Sequence, residues 1–185
     1  EPVDIWLSTT YARAGEGGTG AAKCGGNYAA SMIAQTEGEK HGCKQVIFKD
    51  PHRGDAIEEL GGMNVFFIFG KENKIVTPEL TGTILEGVTR SSLIQLAKDR
   101  GMTVEERAIT LTEWREGVAN GDITEIFACG TAAVVAPIGK LKAEDFEIPA
   151  PTEHFGEISK SLREELVGIQ LGTVEDRHGW MTRLI

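Results

Sequence analysis

Lys23 lies in a run of small, uncharged residues, Gly18-Thr19-Gly20-Ala21-Ala22-Lys23-Cys24-Gly25-Gly26, which is an unusual setting for a lysine. Glycines on both sides let other groups approach the backbone closely. A desolvated amine loses its proton more readily and can then form a Schiff base with a carbonyl compound. The segment lacks the Gly-Lys-Ser/Thr ending of a Walker A loop. The residues alone leave a reactive lysine and an ordinary surface lysine equally open.

Two adjacent glutamates, Glu58 and Glu59, precede an apolar run and are candidates for a buried acid. In a strand their side chains point to opposite faces, so we expect one to face solvent and the other to face inward. An inward carboxylate needs a hydrogen-bonding or charged partner. The pair therefore predicts either an acid in a binding site or a salt bridge at the edge of a sheet.

Two other segments have the features of an anion site. Residues 78–90 end at a predicted helix start, where backbone N–H groups attract negative charge and the Thr89 hydroxyl adds a donor. The commoner role for Thr89 is a helix N-cap. Gly130-Thr131-Ala132-Ala133 is predicted to be a tight turn between apolar runs, which either exposes N–H groups to an anion or merely connects two strands.

The elements that must position these residues alternate irregularly between strands and helices. Short β-rich apolar runs predict strands, and apolar residues at helical spacing predict helices. We predict strands at 3–7, 45–48, 65–69, 126–129 and 132–138, and helices at 27–41, 89–100, from Thr110 onward and across 158–169. Without strict βαβ alternation, this order predicts an α/β or α+β fold with a mixed sheet.

The composition fits one ordinary globular domain of 185 residues, 41% hydrophobic and 25% charged. A formal net charge of -9 without clustered Lys and Arg argues against nucleic-acid binding. No apolar run approaches the ~20 residues that span a membrane. Three cysteines without Cys-x-x-Cys spacing and four scattered histidines predict no metal site and a reducing, cytoplasmic setting.

Several segments together resemble the branched-chain aminotransferases, which are fold-type IV pyridoxal phosphate enzymes, and look closest to their actinobacterial branch. The segments that carry the likeness are Gly17–Ser31, Glu58–Asn64, Leu85–Arg90, Phe127–Ala133, Gly168–Gly172 and His178–Trp180. The resemblance covers the whole chain. It implies that residues 1–185 form the large C-terminal, cofactor-binding domain of a D-amino acid aminotransferase-like fold, without the small N-terminal domain of the family.

The resemblance also implies a site for pyridoxal 5'-phosphate. Lys23 would bond to the cofactor and act as the catalytic base, Glu59 would pair with the ring nitrogen, and Tyr28 would line the O3′ side. The other implied cofactor contacts are Gly62, Leu85, Gly87, Val88, Thr89 and Thr131, and the implied substrate contacts are Thr131 and Ala132.

The activity implied by the resemblance is transamination of L-leucine, L-isoleucine and L-valine with 2-oxoglutarate, by a homodimer active in branched-chain amino acid biosynthesis. This chain alone is expected to be inactive or nearly so. A D-amino acid aminotransferase, an aminodeoxychorismate lyase and a non-catalytic cofactor-binding domain remain alternatives. Residues 50–56 differ from the acidic and aromatic hairpin expected before Glu58, and the redox Cys-x-x-Cys of some animal relatives would fall at Ala133 and Ala136.

Overall fold

A single mixed sheet organises the fold in the computed structural model, which describes residues 1–184 and shows nine strands there. The strands are β1 (Val3–Ser8), β2 (Gln45–Lys49), β3 (Ile57–Leu60), β4 (Asn64–Phe69), β5 (Lys74–Thr77), β6 (Thr103–Glu106), β7 (Ile123–Gly130), β8 (Val134–Lys142) and β9 (Glu147–Ile148). Their order is β3-β2-β1-β8-β7-β4-β5-β6, with β9 paired to β8. The β1–β2, β1–β8 and β5–β6 pairs are parallel and the others antiparallel, which confirms the predicted mixed sheet.

The sheet is curled into a half-barrel. Four strands separate β3 from β4 in the sheet order, yet a tight turn joins them, in which Leu60 N donates to Met63 O at 2.9 Å. The edge strand β3 therefore returns to the side of β4. The inside of the curl is apolar and includes Phe67, whose ring meets Trp114 edge-on at 5.0 Å.

The described residues form four α-helices: α1 (Gly25–Lys40), α2 (Val88–Asp99), α3 (Leu111–Ala119) and α4 (Glu157–Leu171). Helices α1, α2 and α4 cover the outside of the sheet, whereas α3 packs Trp114 against the apolar inside of the curl. Alternate residues of β4 serve opposite faces, as strand geometry requires. Val65 and Phe67 point into the curl, whereas Phe66 and Ile68 belong to a second core that includes buried residues of α2 and α4. A third cluster includes Ala34 of α1 and residues of β1 and β2.

Most of the predicted elements are present with small shifts in their ends. The helix predicted at 27–41 covers Gly25–Lys40, and Thr110 caps α3 by accepting a hydrogen bond from Glu113 N at 3.0 Å. The unusual residues 50–56 still close a hairpin, because Asp50 N donates to Ala56 O at 2.9 Å and β2 pairs antiparallel with β3. Three short strands were not predicted: β5, which is only four residues long although mostly buried, and β6 and β9, which have exposed or mixed residues.

No helix within residues 1–184 has both the length and the apolar character that crossing a bilayer requires.

Candidate functional site

One cleft of about 490 Å³ gathers the residues that the sequence analysis selected, a size within the ~300–1,000 Å³ range of small-molecule and cofactor sites. It lies where the loop after β1, the β3–β4 turn, the start of α2 and the β7–β8 turn meet. Every predicted site residue lines it: Lys23, Tyr28, Glu59, Gly62, Leu85, Gly87, Val88, Thr89, Thr131 and Ala132. The roles of these residues stay predictions.

Glu59 is held rigidly at the inner wall of the cleft, with only 2% of its surface exposed. Its Oε1 lies 2.9 Å from Arg13 Nη1 and accepts a hydrogen bond from Leu85 N, also at 2.9 Å. Its Oε2 accepts from Asn64 Nδ2 at 3.1 Å, and the same Asn64 amide donates to Leu85 O at 2.8 Å. Donors from three separate segments therefore fix the plane of this carboxylate.

Burial raises the pKa of the Glu59 carboxyl to about 7. The Arg13 guanidinium, the Leu85 N–H group and, more weakly, Arg90 oppose this rise in pKa, while the neighbouring Glu58 adds to it. A positive charge placed at the cleft-facing edge of Glu59 would favour the carboxylate, since an opposite charge within about 4–6 Å lowers the pKa of an acid.

Glu58 is also buried, with 3% of its surface exposed, so the prediction that one of the two glutamates faces solvent is wrong. The reason is that the loop containing Pro78, Thr81 and Thr83 covers the other face of β3. The Thr83 hydroxyl donates to Glu58 Oε1, whereas Oε2 is buried without a hydrogen-bond partner in the part of the chain that the structure describes. Burial raises the pKa of Glu58 to about 7.

Arg13 is the residue of the site that the sequence analysis missed. Its side chain is 1% exposed and pairs with Glu59. Its Nη1 also donates to Thr83 O at 2.8 Å and to Gly20 O at 3.3 Å. One signal was available: a buried carboxylate needs a partner, and Arg13 is the sole charged residue between Thr9 and Gly15.

Lys23 is exposed at the mouth of the cleft, so the desolvation that would favour a reactive amine is absent in this chain. Gly and Ala residues surround it in the loop, and they supply no large side chains to cover it. The loop is nevertheless well anchored to α1, because Asn27 Nδ2 donates to Thr19 O at 2.8 Å and to Ala22 O at 3.1 Å.

The start of α2 forms another wall of the cleft. The N-cap is Gly87, with φ of 73°, and Val88 is the first helical residue, so the reading of Thr89 as an N-cap is wrong. Thr89 instead lies in the first turn, where backbone N–H groups have no partner inside the helix. Because Val88 and Thr89 line the cleft, this end of the helix dipole favours an anion there.

The remaining walls come from turns and from α1. Thr131 and Ala132 are exposed in the turn between β7 and β8, next to the paired residues Gly130 and Val134. Cys129 ends the buried part of β7, and burial raises the pKa of its thiol to about 12, so this wall of the cleft is uncharged. Tyr28 is half-buried near Gly62, where a Cβ would lie 4.0 Å from the Tyr28 ring.

Comparison with known families gives one match, to the family described as amino-transferase class IV, across residues 8–141. This range contains every residue of the cleft, from Arg13 to Ala132.

Relatives of known name give a consistent result. The chain is 52% identical to a branched-chain-amino-acid aminotransferase of Mycolicibacterium smegmatis over 100% of this chain and 50% of that protein. It is also 52% identical to the one from Mycobacterium tuberculosis strain H37Rv, over 99% of this chain and 50% of the relative. The chain thus spans about half the length of the curated relatives it matches.

Solved structures resemble the fold over nearly the whole chain. The branched-chain aminotransferase from the archaeon Thermoproteus uzoniensis, solved with norvaline, has a TM-score of 0.82 and 27% identity, over 98% of this chain and 56% of that one. The Escherichia coli enzyme has a TM-score of 0.81 and 30% identity, over 98% of this chain and 56% of that one. A further branched-chain amino acid aminotransferase, solved with pyridoxamine 5'-phosphate, has a TM-score of 0.82 and 28% identity, over 98% of this chain and 54% of that one.

Proposed function

The chain belongs to the class IV aminotransferase family, and on that basis we propose that it forms the cofactor-binding part of a branched-chain amino acid aminotransferase. The observation that carries the proposal is that Lys23, Glu59 and the first turn of α2 line one cleft. The names of relatives at 52% identity support the choice of branched-chain substrates over the D-amino acid aminotransferase and lyase alternatives.

The polar groups of the cleft fit pyridoxal phosphate. A carboxylate has about four lone-pair sites. Arg13 and Leu85 approach Oε1 of Glu59, and Asn64 is the single donor to Oε2 among residues 1–184. Oε2 therefore retains acceptor capacity for a ring N–H group. The open first turn of α2 suits a phosphate, and Lys23 supplies a primary amine to meet an aldehyde.

When bound, pyridoxal phosphate supplies an electron-withdrawing ring that accepts the electron pair left behind as a proton leaves Cα of an amino acid. In the proposal, Lys23 Nζ takes that proton, since its amine is the basic group at the mouth of the cleft. A general base must come within about 2.6–3.2 Å of the proton's parent atom, which a flexible lysine on a firmly anchored loop can do.

Glu59 holds a proton on the ring nitrogen in this proposal. Its Oε2 would accept that N–H group, because Arg13 and Leu85 N already hold Oε1. A charge-assisted hydrogen bond in a buried setting keeps the ring cationic, and a cationic ring withdraws electrons more strongly.

The other walls orient ligands. The free N–H groups of Val88 and Thr89, with the Thr89 hydroxyl, would bind the phosphate. Thr131 and Ala132 would meet the phosphate and the substrate carboxylate from the β7–β8 turn, with Leu85 and Gly62 against the ring and Tyr28 on its O3′ side. Fixed contacts of this kind raise rates by removing orientational freedom.

L-Leucine, L-isoleucine and L-valine, with 2-oxoglutarate as acceptor, are the proposed substrates of the whole enzyme, which we propose to be a cytoplasmic homodimer that serves branched-chain amino acid biosynthesis. Because Lys23 is exposed here, catalysis at a useful rate needs a cover over the cleft that excludes water. The proposed cover is the part of each relative's sequence that this chain does not match, about half of its length. The chain alone is therefore expected to convert substrate slowly or not at all.

Labelling of the lysine tests the cofactor site. The chain is incubated with pyridoxal phosphate, reduced with borohydride and mapped by peptide mass spectrometry. The proposal expects the label on Lys23 and its loss in Lys23→Ala. Lys98→Ala, which changes an exposed lysine of α2, is the matched control and should leave the labelling of Lys23 unchanged. A label that is spread over several lysines, or that persists in Lys23→Ala, would contradict the site.

A chimera tests the substrate. This chain is joined to the unmatched half of the Mycolicibacterium smegmatis relative and assayed with L-leucine, D-alanine and aminodeoxychorismate. The proposal expects turnover of L-leucine at a rate well above that of the chain alone. Preference for D-alanine or aminodeoxychorismate would instead assign the chain to one of the two alternative activities.

A further inference from the structure

Arg13 joins three segments that meet at the cleft. Its Nη1 lies 2.9 Å from Glu59 Oε1 on β3, 2.8 Å from Thr83 O and 3.3 Å from Gly20 O. Gly20 belongs to the loop that carries Lys23, and Thr83 to the loop that leads to α2. A single buried cation thus contacts the acid of the proposed site and both loops that border it.

The charge of Arg13 acts on a carboxylate that burial disfavours. Three ionisable groups have an electrostatic influence on the Glu59 carboxyl: Arg13 from the loop after β1, Glu58 from the same strand and Arg90 from α2. Arg13 contributes the largest effect in favour of the carboxylate. Arg90 is engaged elsewhere, since its Nη2 donates to Pro78 O and pairs with Glu106, each at 2.9 Å.

The contacts of Arg13 with the two loops are reinforced by the backbone. Ala21 N donates to Gly82 O at 3.1 Å, and Gly20 packs so closely on Thr83 that a Cβ there would overlap the Thr83 backbone. The Arg13 guanidinium also links the two loops, because it donates one hydrogen bond to Gly20 O and one to Thr83 O. Loss of Arg13 would therefore remove both of its bonds across the junction of the two loops, as well as its ion pair with the Glu59 carboxylate.

We propose that Arg13 is a positioning residue: it pairs with the Glu59 carboxylate and orients it toward the ring nitrogen, and it holds the Lys23 loop at a fixed place relative to Glu59. The inference rests on the proposed function, because it assigns Arg13 a task in binding the same cofactor. Arg13 itself acts through Glu59 and the loop.

The first test measures Glu59 without any cofactor. The chain is labelled with ¹³C at the glutamate side-chain carboxyls, and the Glu59 signal is assigned by its loss in Glu59→Gln. Arg13→Gln removes the charge but keeps an amide donor for Thr83 O. The Glu59 titration should move upward by about one to three pH units, the usual effect of one opposite charge on an acid. Arg13→Lys should restore most of the original titration.

Arg100→Gln is the matched control for loss of an ion pair. Arg100 follows the last residue of α2 and its Nη2 lies 2.6 Å from Glu165 Oε2 of α4, outside the cleft. Its replacement should leave the Glu59 titration unchanged. A folded Arg13→Gln protein whose Glu59 titrates as in the wild type would overturn the proposal.

The second test adds pyridoxal phosphate and follows its absorbance. At a pH below the pKa of Glu59, each further unit of rise in that pKa lowers the ionised fraction about tenfold. Arg13→Gln should therefore bind the cofactor about tenfold more weakly or worse at pH 7. Borohydride labelling of Lys23 should slow in parallel. Arg13→Lys should recover the affinity in part but not the labelling rate, since an ammonium on a shorter reach cannot serve all three acceptors.

Two further outcomes are decisive. If Arg13→Gln does not fold, Arg13→Lys is compared with the wild type, and equal rates of Lys23 labelling would refute the loop-holding role. If the wild-type chain binds no pyridoxal phosphate, the proposed function fails, while the carboxyl titration still decides whether Arg13 controls the ionisation of Glu59.

Discussion

Gly20 and Thr83 are in direct backbone contact, which joins the loop of Lys23 to the loop that covers Glu58. A Cβ at position 20 would overlap the carbonyl carbon, the oxygen and the Cα of Thr83. Ala21 N bonds to Gly82 O at 3.1 Å beside this contact. Glycine is therefore required at position 20 for a steric reason, independent of its φ angle.

Gly20→Ala is expected to destabilise the chain by about 1–3 kcal/mol, the usual cost of overpacking a filled site. It should also slow borohydride labelling of Lys23 in the presence of pyridoxal phosphate, because the loop must move to relieve the overlap. Urea unfolding and peptide mapping give the two measurements. Gly25→Ala is the control: no atom lies within 4 Å of a Cβ there, and alanine at the first residue of α1 should be neutral or stabilising.

Gly87, a predicted cofactor contact, also supports Glu59 through Asn64, and Gly82 provides a comparison variant with the same backbone cost. Gly87 and Gly82 both have positive φ, 73° and 91°, so alanine at either position carries the left-handed backbone cost of about 1–2 kcal/mol. A Cβ at Gly87 would also overlap Asn64 Oδ1, whereas a Cβ at Gly82 would meet no atom within 4 Å. The Asn64 amide in turn donates to Glu59.

Gly87→Ala is therefore expected to weaken pyridoxal phosphate binding by about tenfold relative to Gly82→Ala, one good hydrogen bond being worth roughly 1–1.5 kcal/mol. Absorbance titration at pH 7.5 measures the two affinities, and urea unfolding checks that both variants fold. Equal affinities would show that Asn64 does not control the carboxylate.

The sequence was sufficient for the parts of the fold that follow from local pattern. The apolar run at 65–69 became β4, the stripe of Ile158, Leu162 and Leu166 became α4, and Thr110 became an N-cap. In each case the period of the side chains or the chemistry of one cap determines the element. Short strands with mixed burial such as β6 lack that signal, because they are fixed by pairing with β5 instead.

The site was predictable where its residues form motifs and unpredictable where its partners are distant in sequence. Lys23, Glu59 and Thr89 stand in recognisable segments, and one cleft contains them all. The pairing of Arg13 with Glu59 spans 46 positions, and the burial of Glu58 depends on Thr83, 25 positions away. Such contacts depend on the curl of the sheet, which no local pattern records.

Glu59 should make cofactor affinity depend on pH in a defined direction. Burial raises the pKa of Glu59 to about 7, and the ionised form is the one that accepts a hydrogen bond from a cationic ring. The ratio of wild-type affinity to Glu59→Gln affinity should therefore rise as pH increases through about 7. The titration of the free cofactor is common to both proteins and cancels in the ratio. Where this ratio reaches its plateau at high pH, the wild type should bind the cofactor more tightly than Glu59→Gln by about 1.5–3 kcal/mol.

Absorbance titrations between pH 5.5 and 8.5 measure this ratio, where the range brackets the pKa of about 7. Glu116→Gln, an exposed change on α3 outside the cleft, serves as the control and should show a ratio near one at every pH. A Glu59→Gln ratio that stays flat across the range would contradict the assignment of Glu59 to the ring nitrogen.

Glu58 does not line the cleft, and its ionisation at high pH destabilises the folded chain. Its Oε2 is buried without a hydrogen-bond partner among the described residues, and burial raises its pKa from 4.5 to about 7. A carboxyl whose pKa is higher in the folded than in the unfolded chain binds its proton more tightly when folded. The stability it contributes is fully present below about pH 4.5 and is lost as pH rises through about 7.

Glu58→Gln should therefore stabilise the chain at high pH and not at low pH. The amide oxygen can still accept the Thr83 hydroxyl, and no charge has to be buried. A pKa rise from 4.5 to about 7 corresponds to roughly 3 kcal/mol, so the free energy of unfolding should exceed that of the wild type by about 2–3 kcal/mol at pH 8 and match it near pH 4.5. Urea unfolding of the cofactor-free chain at several pH values, with Glu116→Gln for comparison, measures the difference. Parallel curves for Glu58→Gln and wild type would mean that Glu58 keeps an ordinary pKa despite its burial.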